Sequence, residues 1–283
     1  LENVRFHREE TKNDPSFSKS LADLADIFVL DAFGTAHRAH SSTVGVASYL
    51  PAYGGLLLYD EVKALTSMFS SPERPFLAII GGSKVSSKLG VLKHLLDKVD
   101  TLAIVGAMAF TFLKSMGKEV GKSLVEDSYL DEAKQFLEKA KASRTKIVLP
   151  VDQVVVEKVD PLAESDVVEI DGFSPSMIGV DAGPATVAGL AEIIKASKMI
   201  LWNGPLGIFE MDPFSVGTSE IARLLATVDA KTIVGGGDSV SALSKAGVKD
   251  KMTHISTGGG ASLAFLEGVE LPGLSILEDK DDA

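Results

Sequence analysis

Short apolar runs alternate with amphipathic helical patterns from about residue 75 onward, and this alternation limits the possible folds more than any other feature of the chain. Continuous apolar strands separated by helices are typical of a parallel sheet with helices on its faces. The predicted strands are 75–82, 101–108, 146–152, 199–205, 231–239 and 252–260. The predicted helices are 86–99, 131–142, 184–197 and 217–228. The sequence therefore predicts an α/β protein, a parallel Rossmann-like sheet with helices on both faces, plus a partial second α/β domain.

Glycines follow most of these predicted strands. They are Gly81, Gly82, Gly106, Gly204, Gly235 to Gly237 and Gly258 to Gly260. In an open parallel sheet the carboxyl ends of the strands share one edge, and ligands bind in the crevice beyond it. A tight turn from strand to helix would explain a single cluster equally well. Five clusters at one edge favour ligand binding.

The triplet Gly258 to Gly260 lies between a strand-like and a helix-like segment, in "HISTGGGASLAFLEG" (254–268). Glycine loses more conformational entropy on folding than any other residue, so three in a row need a reason. Bare backbone at a helix N-terminus offers free N–H donors and a partial positive charge, which suit phosphate. A tight loop without a ligand is the alternative.

Composition and charge exclude several classes of function. The chain has 283 residues, no cysteine and a formal net charge of −11. This length suggests one large or two medium domains, and the lack of cysteine excludes disulfides and thiolate metal sites, as in a typical cytosolic enzyme. The negative charge argues against a nucleic-acid partner, so a bound anion needs a local positive patch. No apolar stretch reaches the roughly 20 uncharged residues of a membrane helix.

The first 70 residues have a different pattern. Residues 13–26 predict a helix capped by Asn13 or Asp14, and 27–42 predict a buried strand that leads into a polar loop. Residues 52–70 predict a long helix that joins this piece to the parallel sheet. The chain opens without methionine or a signal-like segment, and these elements enclose no core, so we expect it to begin within a domain.

The segment "GGSKVSSKLG" (81–90) follows a strand and opens a helix, as a phosphate-binding loop does, although it is not a Walker A motif. Lys84 and Lys88 are four residues apart and would project from one face of the helix if it has already begun. Two ammonium groups beside a helix N-terminus would attract an anion in this acidic chain. Two solvated helix lysines are the alternative.

Two further strand ends carry polar side chains. "ILWNGPLGIFE" (200–210) would place Asn203 and Glu210 at the glycine edge, where Glu210 could accept hydrogen bonds from ribose hydroxyls or be a surface carboxylate. "VGGGDSV" (234–240) adds Asp238, a carboxylate that is compatible with bound phosphates if a cation lies between them. Asp238 is therefore a candidate Mg²⁺ ligand or, alternatively, a helix N-cap.

A basic group lies in the first 40 residues. It comprises Arg5, Arg8, His37, Arg38 and His40. Guanidinium groups bind carboxylate and phosphate in bidentate fashion, so this group predicts a small-anion site. We expect no zinc site at "HRAH", because no further ligands are nearby in the sequence.

Six segments together resemble the phosphoglycerate kinase family, in order and at that family's spacing. They are "LENVRFHREE", "DAFGTAHRAHSS", "GGSKVSSK", "WNGPLGIFE", "GGGDS" and "STGGGASLAFLEG". The resemblance runs from Leu1 to about Leu277. It implies phosphoryl transfer between 1,3-bisphosphoglycerate and Mg-ADP, giving 3-phosphoglycerate and Mg-ATP, by two Rossmann-like domains joined by a hinge. The implied cofactors are Mg²⁺ and ATP/ADP. The implied small-molecule partners are 3-phosphoglycerate and the adenine nucleotide.

The resemblance also implies domain limits. Residues 1–51 would be the remainder of an N-terminal phosphoglycerate-binding domain, and 52–72 an inter-domain hinge helix. Residues 73–265 would be the C-terminal nucleotide-binding domain, and 266–283 a C-terminal tail.

Site residues follow from the same resemblance. Phosphoglycerate would be bound by Arg5, His37 and Arg38. Nucleotide would be bound by Gly82, Lys84, Lys88, Gly179, Asn203, Pro205, Glu210, Gly236, Gly237, Asp238 and Ser239, with Asp238 meeting Mg²⁺ and Gly179 flanking adenine. The implied catalytic residues are Lys84, Lys88, Gly237, Gly259 and Gly260, whose donors would stabilise the transferring phosphoryl group.

The chain departs from the family pattern at three places. Ala107 stands where the family usually has glycine and could narrow the base slot, and Gln153 stands where it usually has an apolar residue. The family's N-terminal portion, with its "DFN"-type loop and catalytic arginine, is absent from these residues. We therefore expect the chain alone to bind Mg-nucleotide but to be weakly active or inactive, with residues 1–50 mobile, swapped between chains or paired with the missing N-terminal segment.

Other expectations complete this interpretation. The protein would be cytoplasmic, with an organelle left open, would be a monomer when full length, and would bind neither nucleic acid nor membrane. The alternative function is a non-catalytic Mg-nucleotide-binding fragment. A dinucleotide-dependent dehydrogenase is a further alternative, but the G-x-G-x-x-G fingerprint does not follow the first strands.

Overall fold

The computed structural model describes residues 2–277, and these fall into two compact units. The first unit runs to Ser67 and includes the residues from Ser256 onward, and the second is Met68–Ile255. Residues 256–265, which the prediction assigned to the nucleotide-binding domain, are thus grouped by their contacts with the first unit. The domain limits at 51, 72 and 265 stay a prediction. Leu1 and the acidic end of the predicted tail, 278–283, lie outside the described residues.

The elements below are numbered along the chain. The strands are β1 (Phe28–Leu30), β2 (Ala52–Gly54), β3 (Phe76–Ile80), β4 (Thr101–Ile104), β5 (Lys146–Val148), β6 (Asp152–Val156), β7 (Asp166–Glu169), β8 (Ile178–Ala182), β9 (Met199–Asn203), β10 (Lys231–Gly235) and β11 (His254–Ile255). The α-helices are α1 (Arg8–Thr11), α2 (Pro15–Ala22), α3 (Leu56–Ser70), α4 (Leu89–Leu95), α5 (Met108–Ser115), α6 (Leu130–Lys141), α7 (Pro184–Ala196), α8 (Val216–Leu225), α9 (Gly237–Lys245), α10 (Gly260–Leu266) and α11 (Pro272–Ser275). Short 3-10 helices lie at Val4–Phe6, Phe33–Thr35, Gly45–Ser48, Asp127–Tyr129, Ile170–Gly172, Asp212–Phe214 and Lys249–Lys251.

The first unit contains a small parallel sheet of β1 and β2. Helix α2 begins where its cap was predicted, and Asp14 is the cap, because its carboxylate accepts from the amides of Ser16 and Phe17. The prediction that β1 is buried was wrong for most of its length: Val29 is 54% exposed. With β2 as its neighbour in a two-stranded sheet of the described region, β1 keeps an uncovered face.

The predicted helix over residues 52–70 begins later than expected. Ala52–Gly54 pair with β1 as a strand, and α3 starts at Leu56. Glycine has a poor helix propensity, so the Gly54–Gly55 pair ends the strand and delays the helix.

Six of the described strands form the parallel sheet of the second unit, in the order β11-β10-β9-β3-β4-β5. The chain builds outward from β3 through β4 to β5, then crosses back to β9 on the other side of β3. This is the strand order of a doubly wound fold, and its switch point lies between β3 and β9. Every position of β3 and β9 is buried, as the apolar runs predicted. The predicted α/β class, with helices flanking a parallel sheet, is confirmed.

The core beside this sheet includes Trp202, which is fully buried. Leu190 of α7, Ile221 of α8 and Leu243 of α9 belong to the same apolar cluster. The indole Nε1 donates to the carbonyl oxygen of Gly204 at 2.8 Å, so the buried donor is satisfied. The tryptophan thereby anchors the turn that follows β9.

A second sheet of the second unit was missed by the sequence analysis. Strands β7, β6 and β8 of the described region pair antiparallel, in that order. Segment 146–152 was predicted as one strand, but β5 ends at Val148 and β6 begins at Asp152. Pro150 between them cannot donate a ladder hydrogen bond, which is consistent with this break. Phe110 of α5 packs with Val155 of β6 and Phe173, which joins this sheet to the rest of the unit.

Among residues 2–277, no helix is long and apolar enough to cross a membrane.

Candidate functional site

Two strand-end loops of the second unit meet backbone to backbone at the switch point. The amide of Gly81, after β3, donates to the carbonyl oxygen of Asn203 at 2.8 Å. A side chain on Gly81 would collide with the carbonyl oxygen of Pro205, and one on Gly204 would collide with that of Gly81. Gly204 also has a φ of +99°, which L side chains rarely adopt. The close approach therefore requires glycine in both loops.

The loop after β4 joins this group. Gly106 has a φ of +70°, and a Cβ there would lie 2.8 Å from the amide nitrogen of Gly82 and 2.8 Å from the carbonyl oxygen of Pro205. Three glycine-containing loops thus converge at the edge where open α/β sheets bind ligands.

The condition under which the two lysines would share a helical face is not met. Helix α4 begins at Leu89, so Lys84 and Lys88 both precede it. The intervening serines favour a turn, and the Ser87 hydroxyl donates to the carbonyl oxygen of Lys84 at 2.9 Å. The Lys88 ammonium donates to Oδ1 of Asn203, which ties this loop to the end of β9. Lys84 is exposed in the same loop.

Glu126 holds the loop that carries the lysines, a role that the sequence analysis missed. Its carboxylate accepts from the amide of Ser86 at 2.9 Å and from the Ser86 hydroxyl at 2.7 Å. Desolvation alone would raise the pKa of Glu126, but the Ser86 hydrogen bonds and the nearby Lys84 charge outweigh it and lower the pKa. Because the two residues are 40 positions apart, no local pattern signals the pair.

The glycine run after β10 opens helix α9. Gly236 is the N-cap with a φ of +89°, and Gly237 and Asp238 are exposed in the first turn. A Cβ on Gly237 would contact no other residue, so the space beside the start of the helix is open. The alternative that Asp238 caps the helix was wrong, because the cap position is Gly236.

Ser239 has a structural contact that its predicted role did not include. It is fully buried, and its hydroxyl accepts from the amide of Gly204 at 2.6 Å. The side chain therefore ties the start of α9 to the turn after β9. Its predicted contact with phosphate stays a prediction.

A cavity of about 510 Å³ lies beside these loops in the second unit. Its lining includes Gly82, Ser83, Gly106, Ala107, Phe110, Lys122, Leu124, Gln153, Val159, Ile178, Gly179, Val180, Asp181, Pro205, Leu206, Gly207, Ile208, Glu210 and Asp238. The volume is in the range of small-molecule sites. The cavity has two kinds of wall: glycine loops of the parallel sheet, and the antiparallel sheet with Phe110. A side chain on Gly179 would collide with the Phe110 ring, so glycine lets β8 approach that ring.

Asp181 is a buried carboxyl in the cavity lining. Burial, together with the nearby Glu220 charge, raises its pKa to about 7, against the opposing effect of hydrogen bonds from the amides of Gly217 and Ala182. A side chain on Gly207 would collide with Asp181, so the loop after β9 lies directly on this carboxyl.

Four of the five residues of the basic group predicted in the first unit, all but Arg8, are brought together. Arg38 Nε donates to Nε2 of His37 at 3.1 Å. Burial lowers the pKa of His40, and the charges of Arg5, Arg38 and His37 lower it further, while Glu10 opposes them. Burial and the Arg38 charge also lower the pKa of His37. These histidines are therefore biased toward the neutral form, and the arginines supply the positive charge.

The glycine triplet belongs to the same unit, and each glycine has its own reason. A side chain on Gly258 would collide with the ring of Phe33. Gly259 has a φ of +52°, and a Cβ on Gly260 would lie 3.0 Å from Nε2 of His37. Gly259 and Gly260 are exposed at the start of α10, which therefore begins beside the basic group.

The described residues offer few side-chain ligands for a metal ion. Within residues 2–277, no three His, Asp or Glu side chains come together as a metal-binding group. Mg²⁺ needs one or two carboxylates when substrate phosphates supply its other ligands. The exposed carboxylate of Asp238, beside the cavity and the glycine loops, fits that mode of binding.

The fold and this crevice define a doubly wound α/β protein with glycine loops gathered at the switch point of its sheet. A sequence model of the phosphoglycerate kinase family matches residues 1–269. The chain belongs to the phosphoglycerate kinase family, and is thus a kinase, a transferase of glycolysis.

Individual relatives agree with this assignment. The phosphoglycerate kinase of Leptospira biflexa is 54% identical over 282 residues, which are 100% of this chain and 71% of the relative. That of Finegoldia magna is 54% identical over 280 residues, 99% of this chain and 71% of the relative. The solved structure of phosphoglycerate kinase from Coxiella burnetii has a TM-score of 0.92 at 46% identity, covering 97% of this chain and 71% of that chain. That from Pyrococcus horikoshii has a TM-score of 0.85 at 32% identity, with the same coverage.

Proposed function

We propose that this chain carries the nucleotide site of an enzyme that transfers a phosphoryl group between 1,3-bisphosphoglycerate and Mg-ADP, giving 3-phosphoglycerate and Mg-ATP. The observation that carries the proposal is the cavity at the switch point, bordered by three glycine loops and by the start of α9. Exposed glycine amides and a nearby lysine suit a polyphosphate, and the apolar wall beside Phe110 suits a base.

Each residue of the nucleotide site has a proposed role. Lys84 and Lys88 would neutralise charge on the phosphates, with Lys88 on the transferring group, and Gly82, Gly236 and Gly237 would donate amides. Asp238 would meet Mg²⁺, which neutralises phosphate charge when bound, and Ser239 would contact a phosphate. Asn203, Pro205 and Glu210 would border base, ribose and phosphate, and Gly179 the adenine. Because phosphoryl transfer needs little covalent chemistry, positioned donors of this kind supply most of the catalysis.

The first unit has a separate proposed task. Arg5 and Arg38, with His37 beside them, would bind the phosphoglycerate, because guanidinium groups bind carboxylate and phosphate in bidentate fashion. Gly259 and Gly260 would donate amides to the phosphoryl group from the start of α10. Arg38 and Gly260 lie next to His37, and the Arg5 charge acts on His40 in the same group, which supports this assignment.

For a polypeptide limited to these 283 residues we propose Mg-nucleotide binding with weak or no turnover. The family resemblance assigns a catalytic arginine to a segment that these residues do not include. We further propose a cytoplasmic location and a monomer for the full-length protein, on the family's place in glycolysis.

Calorimetry and a coupled assay together test the proposed function. The polypeptide should bind Mg-ADP, and turnover should rise when the family's N-terminal segment is supplied. Absence of Mg-ADP binding would contradict the nucleotide site. Strong activity of the 283-residue polypeptide alone would contradict the proposed dependence on the N-terminal segment, without affecting the nucleotide site.

A further inference from the structure

Gln153 is a buried amide that faces the cavity of the second unit. Its residue is 3% exposed, and it contributes to the lining of the 510 Å³ cavity. The side chain makes no hydrogen bond to any residue in the described range 2–277. Its hydrogen-bonding groups are therefore left for water or a ligand in the cavity.

The residues that pair with Gln153 on the neighbouring strands are apolar. On β6 it stands opposite Val168 of β7 and Ala182 of β8. Val155, two residues further along the strand, packs with Phe110 in an apolar cluster. The neighbouring strands therefore offer no polar partner to the Gln153 side chain.

The position of Gln153 in the cavity indicates what its partner would be. The phosphate-binding features, Gly82 and Asp238, come from the ends of β3 and β10 on the parallel sheet. Gln153 lies instead on the antiparallel wall, on the strand next to Gly179, and with Phe110 in the same lining. A neutral amide offers both a donor and an acceptor, which matches a base edge better than a phosphate.

We propose that Gln153 hydrogen-bonds the polar edge of the adenine base, accepting from its 6-amino group and donating to the neighbouring ring nitrogen, and so determines base specificity. The inference rests on the proposed nucleotide function and extends it to one residue. Glutamine and asparagine read adenine through the same pair of groups when they recognise duplex DNA.

The test separates the base from the phosphates. Dissociation constants are measured by calorimetry for Mg-ADP and for the Mg²⁺ complex of ribose 5-diphosphate, which lacks the base, on the unaltered chain and on Gln153→Leu. A lost neutral hydrogen bond should weaken Mg-ADP binding about 3- to 10-fold. Binding of the abasic diphosphate should not change.

A matched control is available in the chain. Its other glutamine, Gln135, is exposed on α6 and does not line the cavity, so Gln135→Leu makes the same chemical change elsewhere. We expect this variant to bind both ligands as the unaltered chain does. A weakening of Mg-ADP binding in Gln135→Leu equal to that in Gln153→Leu would overturn the proposal.

A second measurement needs no variant. Purine riboside 5′-diphosphate lacks the 6-amino group, and it should bind the unaltered chain about 3- to 10-fold more weakly than ADP. Gln153→Leu should bind the two nucleotides equally, because the partner of the amino group is gone.

Several outcomes would overturn the role of Gln153. They are unchanged or tighter Mg-ADP binding in Gln153→Leu, an equal loss for ADP and the abasic diphosphate, or equal affinity of the unaltered chain for ADP and purine riboside diphosphate. Failure of the unaltered chain to bind Mg-ADP at all would instead overturn the proposed function, and this assignment with it.

Discussion

The ammonium group of Lys88 donates to Oδ1 of Asn203, so the loop after β3 is joined to the end of β9 at the switch point of the sheet. Asn203 is buried, and its backbone carbonyl accepts from Gly81 of the same loop. The amide side chain therefore holds the lysine at the edge where the glycine loops converge.

Replacing this lysine should weaken nucleotide binding. Lys88→Ala removes a positive charge from the edge proposed to bind phosphate and leaves Oδ1 of Asn203 without this donor. Hydrogen bonds to charged groups contribute about 1.5–3 kcal/mol, so Mg-ADP affinity should fall by at least about tenfold in calorimetry. Lys93→Ala, an exposed lysine of α4, is the matched control and should leave affinity unchanged. Equal effects of the two substitutions would show that Lys88 has no special role.

Gly204→Ala should destabilise the second unit strongly. The new methyl group would meet the carbonyl oxygen of Gly81, at a φ of +99° that alanine tolerates poorly. Backbone strain of about 1–2 kcal/mol and overpacking of about 1–3 kcal/mol should together lower the free energy of unfolding in urea by about 2–5 kcal/mol.

Gly247→Ala is the matched control for that substitution. Gly247 has a φ of +71°, and a Cβ there would meet open space. Gly247→Ala should therefore lower the free energy of unfolding by the backbone strain alone, about 1–2 kcal/mol. If both variants lose the same stability, the close approach of the two loops does not contribute.

The fold could be predicted where each element carries its own pattern. The strands β3 and β9 are buried at every position, and their continuous apolar runs were sufficient to place them in a parallel sheet. The antiparallel sheet could not be placed in this way. Its strands pair through contacts distant in sequence, as between Gln153 and Val168, and Pro150 sits between two strands that the apolar pattern runs together.

The positions of the loops in the site could be predicted from the sequence, but most of the side-chain contacts could not. Glycine clusters at strand ends located the converging loops, because a close approach of two backbones requires glycine. Two hydrogen bonds that hold the loops join residues far apart in the sequence: Ser239 to Gly204, 35 positions apart, and Glu126 to Ser86, 40 positions apart. No local spacing of residues predicts such pairs. Lys84 and Lys88 would share a helical face only if the helix had already begun, and it begins one residue after Lys88.

Glu126→Ala should loosen the lysine loop without removing a lysine. The amide of Ser86 loses its acceptor, so its hydrogen exchange should become faster. Mg-ADP affinity should fall about 3- to 10-fold, because Lys84 and Lys88 are then less well positioned. Glu164→Ala, which removes an exposed carboxylate elsewhere, should change neither quantity. Unchanged exchange at Ser86 would contradict the role assigned to Glu126.

Asp181 should make stability fall as pH rises. Burial raises its pKa from an ordinary value of 3.8 to about 7 in the folded chain, so between these values the folded state binds more protons than the unfolded state. The free energy of unfolding should therefore decrease from about pH 4 to pH 7 by at most about 4 kcal/mol through this group, then level off. Glu220, whose charge raises the pKa of Asp181, acts in the same direction.

Asp181→Asn isolates this contribution, because the amide does not titrate. Urea unfolding at pH 5, 6, 7 and 8 should show the stability of the variant relative to the unaltered chain rising up to about pH 7 and constant above it. Asp250→Asn, at an exposed position, should give a difference that does not depend on pH. A constant difference for Asp181→Asn as well would mean that the carboxyl is ionised throughout, and that the hydrogen bonds from Gly217 and Ala182 compensate for its burial.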